Sequence, residues 1–197
     1  MSIGIILLAA GSSSRLGGSK QLLTIGNESL LVRSVKIAIS TTAESVVVVL
    51  GSNEEIHKKS IDHLPVIIHY NPDWKKGMGN SIKSGLQQHM KNITGLQAVL
   101  IMVCDQPLLS SEHVQKLIDT FNESRYEIVA SHYSDTFGVP VLLGKNLFQK
   151  LLAIEDSEGA KKIISQFKGP MAKVDFPDGS IDIDTLNDYE NFRIRNS

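Results

Sequence analysis

Short, almost wholly apolar runs recur along the chain at residues 4–8, 45–50, 66–69, 98–103 and 127–130. Their brevity and their Val and Ile content suit strands buried on both faces, the habit of parallel sheets. Helical spacings lie between them. Leu31, Val35, Ala38 and Ile39 fall at i, i+4, i+7 and i+8. Val114, Leu117, Ile118 and Phe121 fall at i, i+3, i+4 and i+7, and Ala160, Ile163, Ile164 and Phe167 repeat that pattern. Strand–helix alternation with short connections predicts an α/β fold, a three-layer sandwich with helices on both faces of a mostly parallel, twisted sheet.

Nothing in the chain reads as a linker, a low-complexity tract or a repeat, so residues 1–197 are expected to form a single domain. An apolar fraction of 42% is enough for a full core without disulfide or metal staples. Lys and Arg number 20 against 21 for Asp and Glu, so no bulk field draws in nucleic acid or an anionic membrane. Any anion site must therefore be local. Cys104 is the single cysteine, which excludes an internal disulfide and a thiolate zinc cage and suits a reducing compartment. The first apolar run lacks a basic leader and is too short to span a bilayer, so a cytoplasmic location is expected. No histidine pair has zinc-ligand spacing, and no Gly-x-Ser-x-Gly elbow supports a serine hydrolase.

In open α/β sheets, ligands bind beyond the carboxyl ends of the strands. Residues 9–20, which follow the first run directly, read Ala-Ala-Gly-Ser-Ser-Ser-Arg-Leu-Gly-Gly-Ser-Lys. Small residues let backbone N–H groups surround phosphate oxygens, while Arg15 and Lys20 supply fixed positive charge. Five residues separate Gly11 from Gly17, and Gly18-Ser19-Lys20 lacks the Gly-Lys-Ser/Thr ending, so this is not a Walker A loop. It also lacks the second glycine of the dinucleotide fingerprint. The loop is read as a phosphate cradle.

Residues 8–17 together with Lys20-Gln21-Leu22-Leu23 resemble the signature loop of the MobA-like nucleotidyltransferases. The resemblance implies a Rossmann-like nucleotidyltransferase fold. It gives Leu8, Ala9, Ala10, Gly11, Ser12, Arg15 and Lys20 a role in binding an NTP, with Arg15 and Lys20 also catalytic. Ala10 and Ser19 are similar to the molybdenum cofactor cytidylyltransferase branch, in which CTP is the donor; the guanylyl branch usually has Gly and Asp at these places.

Two acidic positions stand apart in sequence. Asp105 closes the fourth apolar run ahead of Pro107, where a carboxylate reaches the active rim or closes a turn. In residues 181–189, alternation places Ile181 and Ile183 on one face and Asp182 and Asp184 on the other. Thr185 with Asp188 reads as a capping-box variant opening the last helix. The resemblance implies that Asp105 and Asp184 hold Mg²⁺, with Asp182 as the alternative second ligand, and makes Asp105 catalytic. Mg²⁺ is commonly bound by few carboxylates plus substrate phosphates.

Residues 71–82 contain Asn71-Pro72, a turn signal, then Gly77-Met78-Gly79-Asn80-Ser81, which reads as a close backbone approach opening a helix. The family resemblance gives Gly79, Asn80 and Ser81 a place beside the nucleobase. Gly138 and Pro140 resemble the family's acceptor-side Gly-x-Pro, and Lys161 its Gly-Ala-basic helix start. Many relatives have His where this chain has Val139. Structurally, Pro140 also fits a strand edge. Cys104, beside Asp105 on a buried strand, is expected to be an inert thiol.

The resemblance implies transfer of CMP from CTP to the phosphate of molybdopterin or its metal-loaded form, for a recipient molybdoenzyme of the xanthine dehydrogenase type. Two alternatives share the cradle: a sugar-phosphate or other small-phosphate nucleotidyltransferase, and a non-catalytic carrier of the cofactor.

Overall fold

The computed structural model describes residues 1–13 and 16–195. Strand β1 (Ile3–Ala9) lies inside a seven-stranded sheet. Two separate two-residue strands, β2 (Thr24–Ile25) and β3 (Glu28–Ser29), pair antiparallel. The large sheet also holds β4 (Ser45–Leu50), β5 (Ile67–Tyr70), β6 (Ala98–Val103), β7 (Ile128–Tyr133), β8 (Thr136–Gly144) and β9 (Ala172–Asp175). Their spatial order is β5-β4-β1-β6-β8-β7-β9. Only β8 runs against the others, so the sheet is mostly parallel.

Helices cover both faces. Helices α1 (Leu30–Ile39), α2 (Glu54–Ile61) and α4 (Ser111–Glu123) pack on one; α3 (Met78–Asn92), α5 (Phe148–Leu152) and α6 (Ala160–Gln166) pack on the other. Successive β1 residues divide between the layers. Ile3, Ile5 and Leu7 meet the core of Leu31, Val35 and Ile118, while Ile6 and Leu8 meet that of Ile82, Leu86 and Ile163. Burial on both sides is why the sequence shows continuous apolar runs rather than alternation. The last helix, α7 (Leu186–Arg195), belongs to a satellite cluster of Leu30, Ile183 and Phe192. Ser29 and Ser110 cap α1 and α4 by accepting the N–H groups of Val32 and His113. Among the described residues, no helix is long and apolar enough to cross a membrane.

Pro140 departs from the strand-edge expectation. It lies on β8, between β6 and β7, where the β7 register shifts between Ala130 and Ser131. A proline is tolerated inside a sheet at such an irregularity because no ladder bond is demanded of it there. The Ser131 hydroxyl donates to the Pro140 carbonyl at 2.7 Å. Since that proton is spent, His113 Nε2 must donate to Ser131 Oγ, 2.8 Å away.

The His113 ring also stacks on Phe176 at 4.5 Å between centroids. Burial, and then the charge of Lys116, push its pKa down to about 4. An imidazole near 6.5 in the unfolded chain binds a proton that the folded state refuses. Its contribution is therefore complete above about pH 6.5 and is lost as the pH falls towards about 4, amounting to about 2 kcal/mol after allowance for partial solvent screening. Denaturant unfolding at pH 7 and pH 5 should show a smaller acid-side loss in His113→Gln than in the parent protein. An equal loss in both would remove His113 as a source of acid sensitivity.

Candidate functional site

The carboxyl ends of β1 and β6 open into a cleft of about 500 Å³. The wall formed by the loop after β1 includes Ala9, Ala10, Gly11, Ser12, Lys20 and Gln21, and Gln21 staples the loop. Gln21 is buried, with 2% exposure. Its Nε2 donates to Ala9 O at 3.1 Å and to Gly11 O at 2.9 Å. Its Oε1 accepts the hydroxyls of Ser13 at 3.1 Å and Ser19 at 2.8 Å. These four bonds satisfy the amide in full and fix both ends of the loop. Ser13 Oγ in turn accepts the Lys20 N–H at 2.9 Å. Ser19 faces α2, where His57 Nε2 lies 2.5 Å from its Oγ, and it does not line the cleft. Arg15 lies outside the described residues.

Lys20 leads to the acidic end. Its Nζ donates to Asp105 Oδ2 and to Asp184 Oδ1, both at 2.8 Å. Burial by itself would lower the ammonium's pKa, but Asp105 and then Asp184 hold it above its ordinary value. The backbone fixes the two acids as well, since the Ile183 N–H donates to Asp105 O at 3.0 Å. Gln106 Nε2 donates to Val139 O at 3.1 Å and Gly179 O at 2.9 Å, tying the same segments together. Residues 181–184 form no strand, so the alternation of residues 181–184 does not carry over: Ile183 is wholly buried while Ile181 is exposed.

The capping box does form. Asp188 Oδ2 accepts the Thr185 N–H at 2.7 Å, and Thr185 Oγ1 accepts the Asp188 N–H at 3.2 Å. Capping therefore falls to Thr185 and Asp188, while Asp184 turns its carboxylate to Lys20. Withdrawal from water, then the negative charges of Asp105 and Asp184, push Asp182 up to about 6. Burial, followed by Asp105, pushes the Cys104 thiol up to about 12 and leaves it un-ionised.

Two carboxylates gathered on one cation have the donor chemistry of a hard-dication site. No three His, Cys, Asp or Glu side chains form a cage among the described residues. A two-carboxylate site of this kind would need phosphate oxygens or water to complete its shell.

The remaining wall holds Leu8, Val103, Trp74, Gly77 and Met78 with Lys75 beside them, and Ser81, 4% exposed, borders it. Gly79 and Asn80 stand behind this wall rather than in it. The Gly79 N–H donates to Asp156 O at 2.9 Å, and a Cβ on Gly79 would lie 2.1 Å from Glu155 O. Asn80 Nδ2 donates to Asp156 Oδ1 at 3.2 Å. Gly138, Pro140 and Lys161 are absent from the described cleft lining. Gly138 packs under Tyr133, whose hydroxyl would lie 2.0 Å from an added Cβ. Lys161 lies on a separate groove with Phe137 and Phe167.

A mostly parallel sheet with a small-residue loop after β1 and acids beyond β6 is the architecture of a nucleotidyltransferase. The chain belongs to the MobA-like NTP transferase family, whose domain model matches residues 5–171. The purine catabolism protein PucB of Bacillus subtilis (strain 168) is 28% identical over 202 residues, covering 95% of this chain and 94% of PucB. Rv0371c of Mycobacterium tuberculosis H37Rv superposes with a TM-score of 0.85 at 22% identity, over 98% of both chains. Its manganese complex gives 0.81 at 20%, over 98% of this chain and 99% of that one. Molybdopterin-guanine dinucleotide biosynthesis protein A of Archaeoglobus fulgidus gives 0.70 at 12%, over 98% of this chain and 97% of its own. At these identities the structures speak for the fold.

Proposed function

We propose that this chain, a single domain over residues 1–197 acting in the cytoplasm, transfers CMP from CTP to the phosphate of molybdopterin or its metal-loaded form. The observation that carries this reading is the Lys20 ammonium held between Asp105 and Asp184 at the end of the small-residue loop. An acceptor phosphate oxygen bonds to the α-phosphorus of CTP, the bond from that phosphorus to the bridging oxygen breaks, and pyrophosphate leaves. The acceptor is already ionised at neutral pH, so no general base is required.

Leu8, Ala9, Ala10, Gly11 and Ser12 line the nucleotide, and Arg15 and Lys20 neutralise its phosphates. Ser81 faces the base, with Gly79 and Asn80 as its backing. Asp105 and Asp184 would hold Mg²⁺, which supplies charge neutralisation on the phosphates when bound; the manganese complex of the structural relative supports a divalent cation. Gly138, Pro140 and Lys161 belong to the acceptor half. The acceptor rests on the resemblance of the loop after β1 to the cytidylyltransferase branch; PucB, similar along nearly its whole length, is named for purine catabolism.

Pyrophosphate release should be measured with Mg²⁺, each of the four NTPs, and either molybdopterin or a sugar phosphate. Release that requires molybdopterin and is fastest with CTP is expected. Release with a sugar phosphate but not with molybdopterin would overturn the acceptor. Tight cofactor binding without turnover would make the chain a carrier.

A further inference from the structure

Asn71 follows β5 and is buried, with 2% exposure, outside the described cleft lining. Its Oδ1 accepts the Asp73 N–H at 3.1 Å, which fixes the end of the amide that donates. Nδ2 donates to Asn80 Oδ1 at 3.0 Å and to Ser81 Oγ at 3.1 Å. Asn80 Nδ2 then donates to Asp156 Oδ1, an oxygen also held by Lys83 Nζ at 2.6 Å. The Lys83 and Asn80 bonds lower the Asp156 pKa and keep it an acceptor. The polarity of the relay is thus fixed at both ends, by a backbone donor and by a carboxylate.

The relay ends at Ser81. Its hydroxyl accepts from Asn71, and among the described residues no acceptor takes its own proton. Ser81 borders the cleft with Trp74, Lys75, Gly77 and Met78, away from Asp105 and Asp184, where the Trp74 and Met78 side chains suit the flat face of a base. We infer that Asn71 is a positioning residue, holding the Ser81 hydroxyl as a donor toward the base of the bound nucleotide. The site then favours a base presenting an acceptor there, as cytosine does with O2 and N3, over one presenting a donor. This rests on the nucleotide reading above and adds the means of base choice.

Asn71→Asp tests the polarity. A carboxylate at residue 71 accepts a hydrogen bond from the Ser81 hydroxyl and leaves only its lone pairs facing the base. Calorimetric titration with CTP should show about tenfold weaker binding for Asn71→Asp. The same substitution made in Ser81→Ala should cost less than about twofold, because no hydroxyl remains to be turned. A purely structural or charge-repulsion role predicts equal costs in the two backgrounds, and that result overturns the inference. If Asn71→Asp does not fold, Ser81→Ala alone must weaken CTP by about tenfold, and unchanged affinity overturns it. Absence of NTP binding by the parent protein would instead overturn the nucleotide reading beneath it.

Discussion

Asp105→Asn should lower metal-dependent turnover by about 10³-fold while leaving the protein folded. The substitution removes one negative charge and keeps the shape of the side chain. The Asp105 carbonyl still accepts the Ile183 N–H, so the segment carrying Asp184 stays docked. Lys20 keeps its bond to Asp184. What disappears is half of the anionic pair proposed to hold Mg²⁺. Titration with Mn²⁺ should show the same loss independently of activity, and thermal unfolding should show little change. Parent-like turnover and Mn²⁺ affinity would remove Asp105 from the metal role.

Lys20→Met should produce two effects of opposite sign. Turnover should fall by about 10²–10³-fold, because the cation proposed to neutralise the phosphates is lost in a site partly shielded from water. Mn²⁺ added without nucleotide should nevertheless bind more tightly than in the parent. The ammonium occupies oxygens of both carboxylates at 2.8 Å, and a dication must compete with it for them. Methionine fills similar space and offers no competition. It also leaves two part-exposed carboxylates without that cation, at a cost of about 1 kcal/mol in stability that added Mn²⁺ should largely restore. Mn²⁺ binding no tighter than in the parent would mean that the lysine and the metal do not share a place.

The part of the fold most legible in the sequence was the part buried on two sides. β1, β4, β6 and most of β7 coincide with the apolar runs because helices cover both of their faces, while β5, at the sheet edge, is only partly covered. The residues of β9, Ala-Lys-Val-Asp, bury one side and expose the other, and four residues are too few for alternation to stand out. β8 reads as an edge because of Pro140; the irregularity that admits a proline inside the sheet depends on Ser131 of another strand.

The site divides along similar lines. Gly11, Lys20, Asp105 and Asp184 stand out because a short motif carries each of them. The family motif shows no difference between Ser81, which faces the cleft, and Gly79 and Asn80, which back it. Gln21 and Asn71 escape notice for a different reason. An amide has no chemistry of its own to advertise, and its worth lies in directed bonds, four for Gln21 and three for Asn71, that exist only once the surrounding loop has taken its shape. For Gln21 one faint signal exists, a polar residue set between the loop lysine and Leu22-Leu23. Nothing local marks Asn71 beyond an Asn-Pro turn.

The backbone bond from Ile183 to Asp105 also has a bearing on synthesis. A growing chain exposes its small-residue loop and Asp105 long before Asp184 has left the ribosome. Domains fold as their segments emerge, so the sheet can begin to close around a site still lacking its second carboxylate. Until the later segment docks, Lys20 has one of these two anionic partners rather than both. The acidic pair is thus completed only once the later segment has been made and has docked.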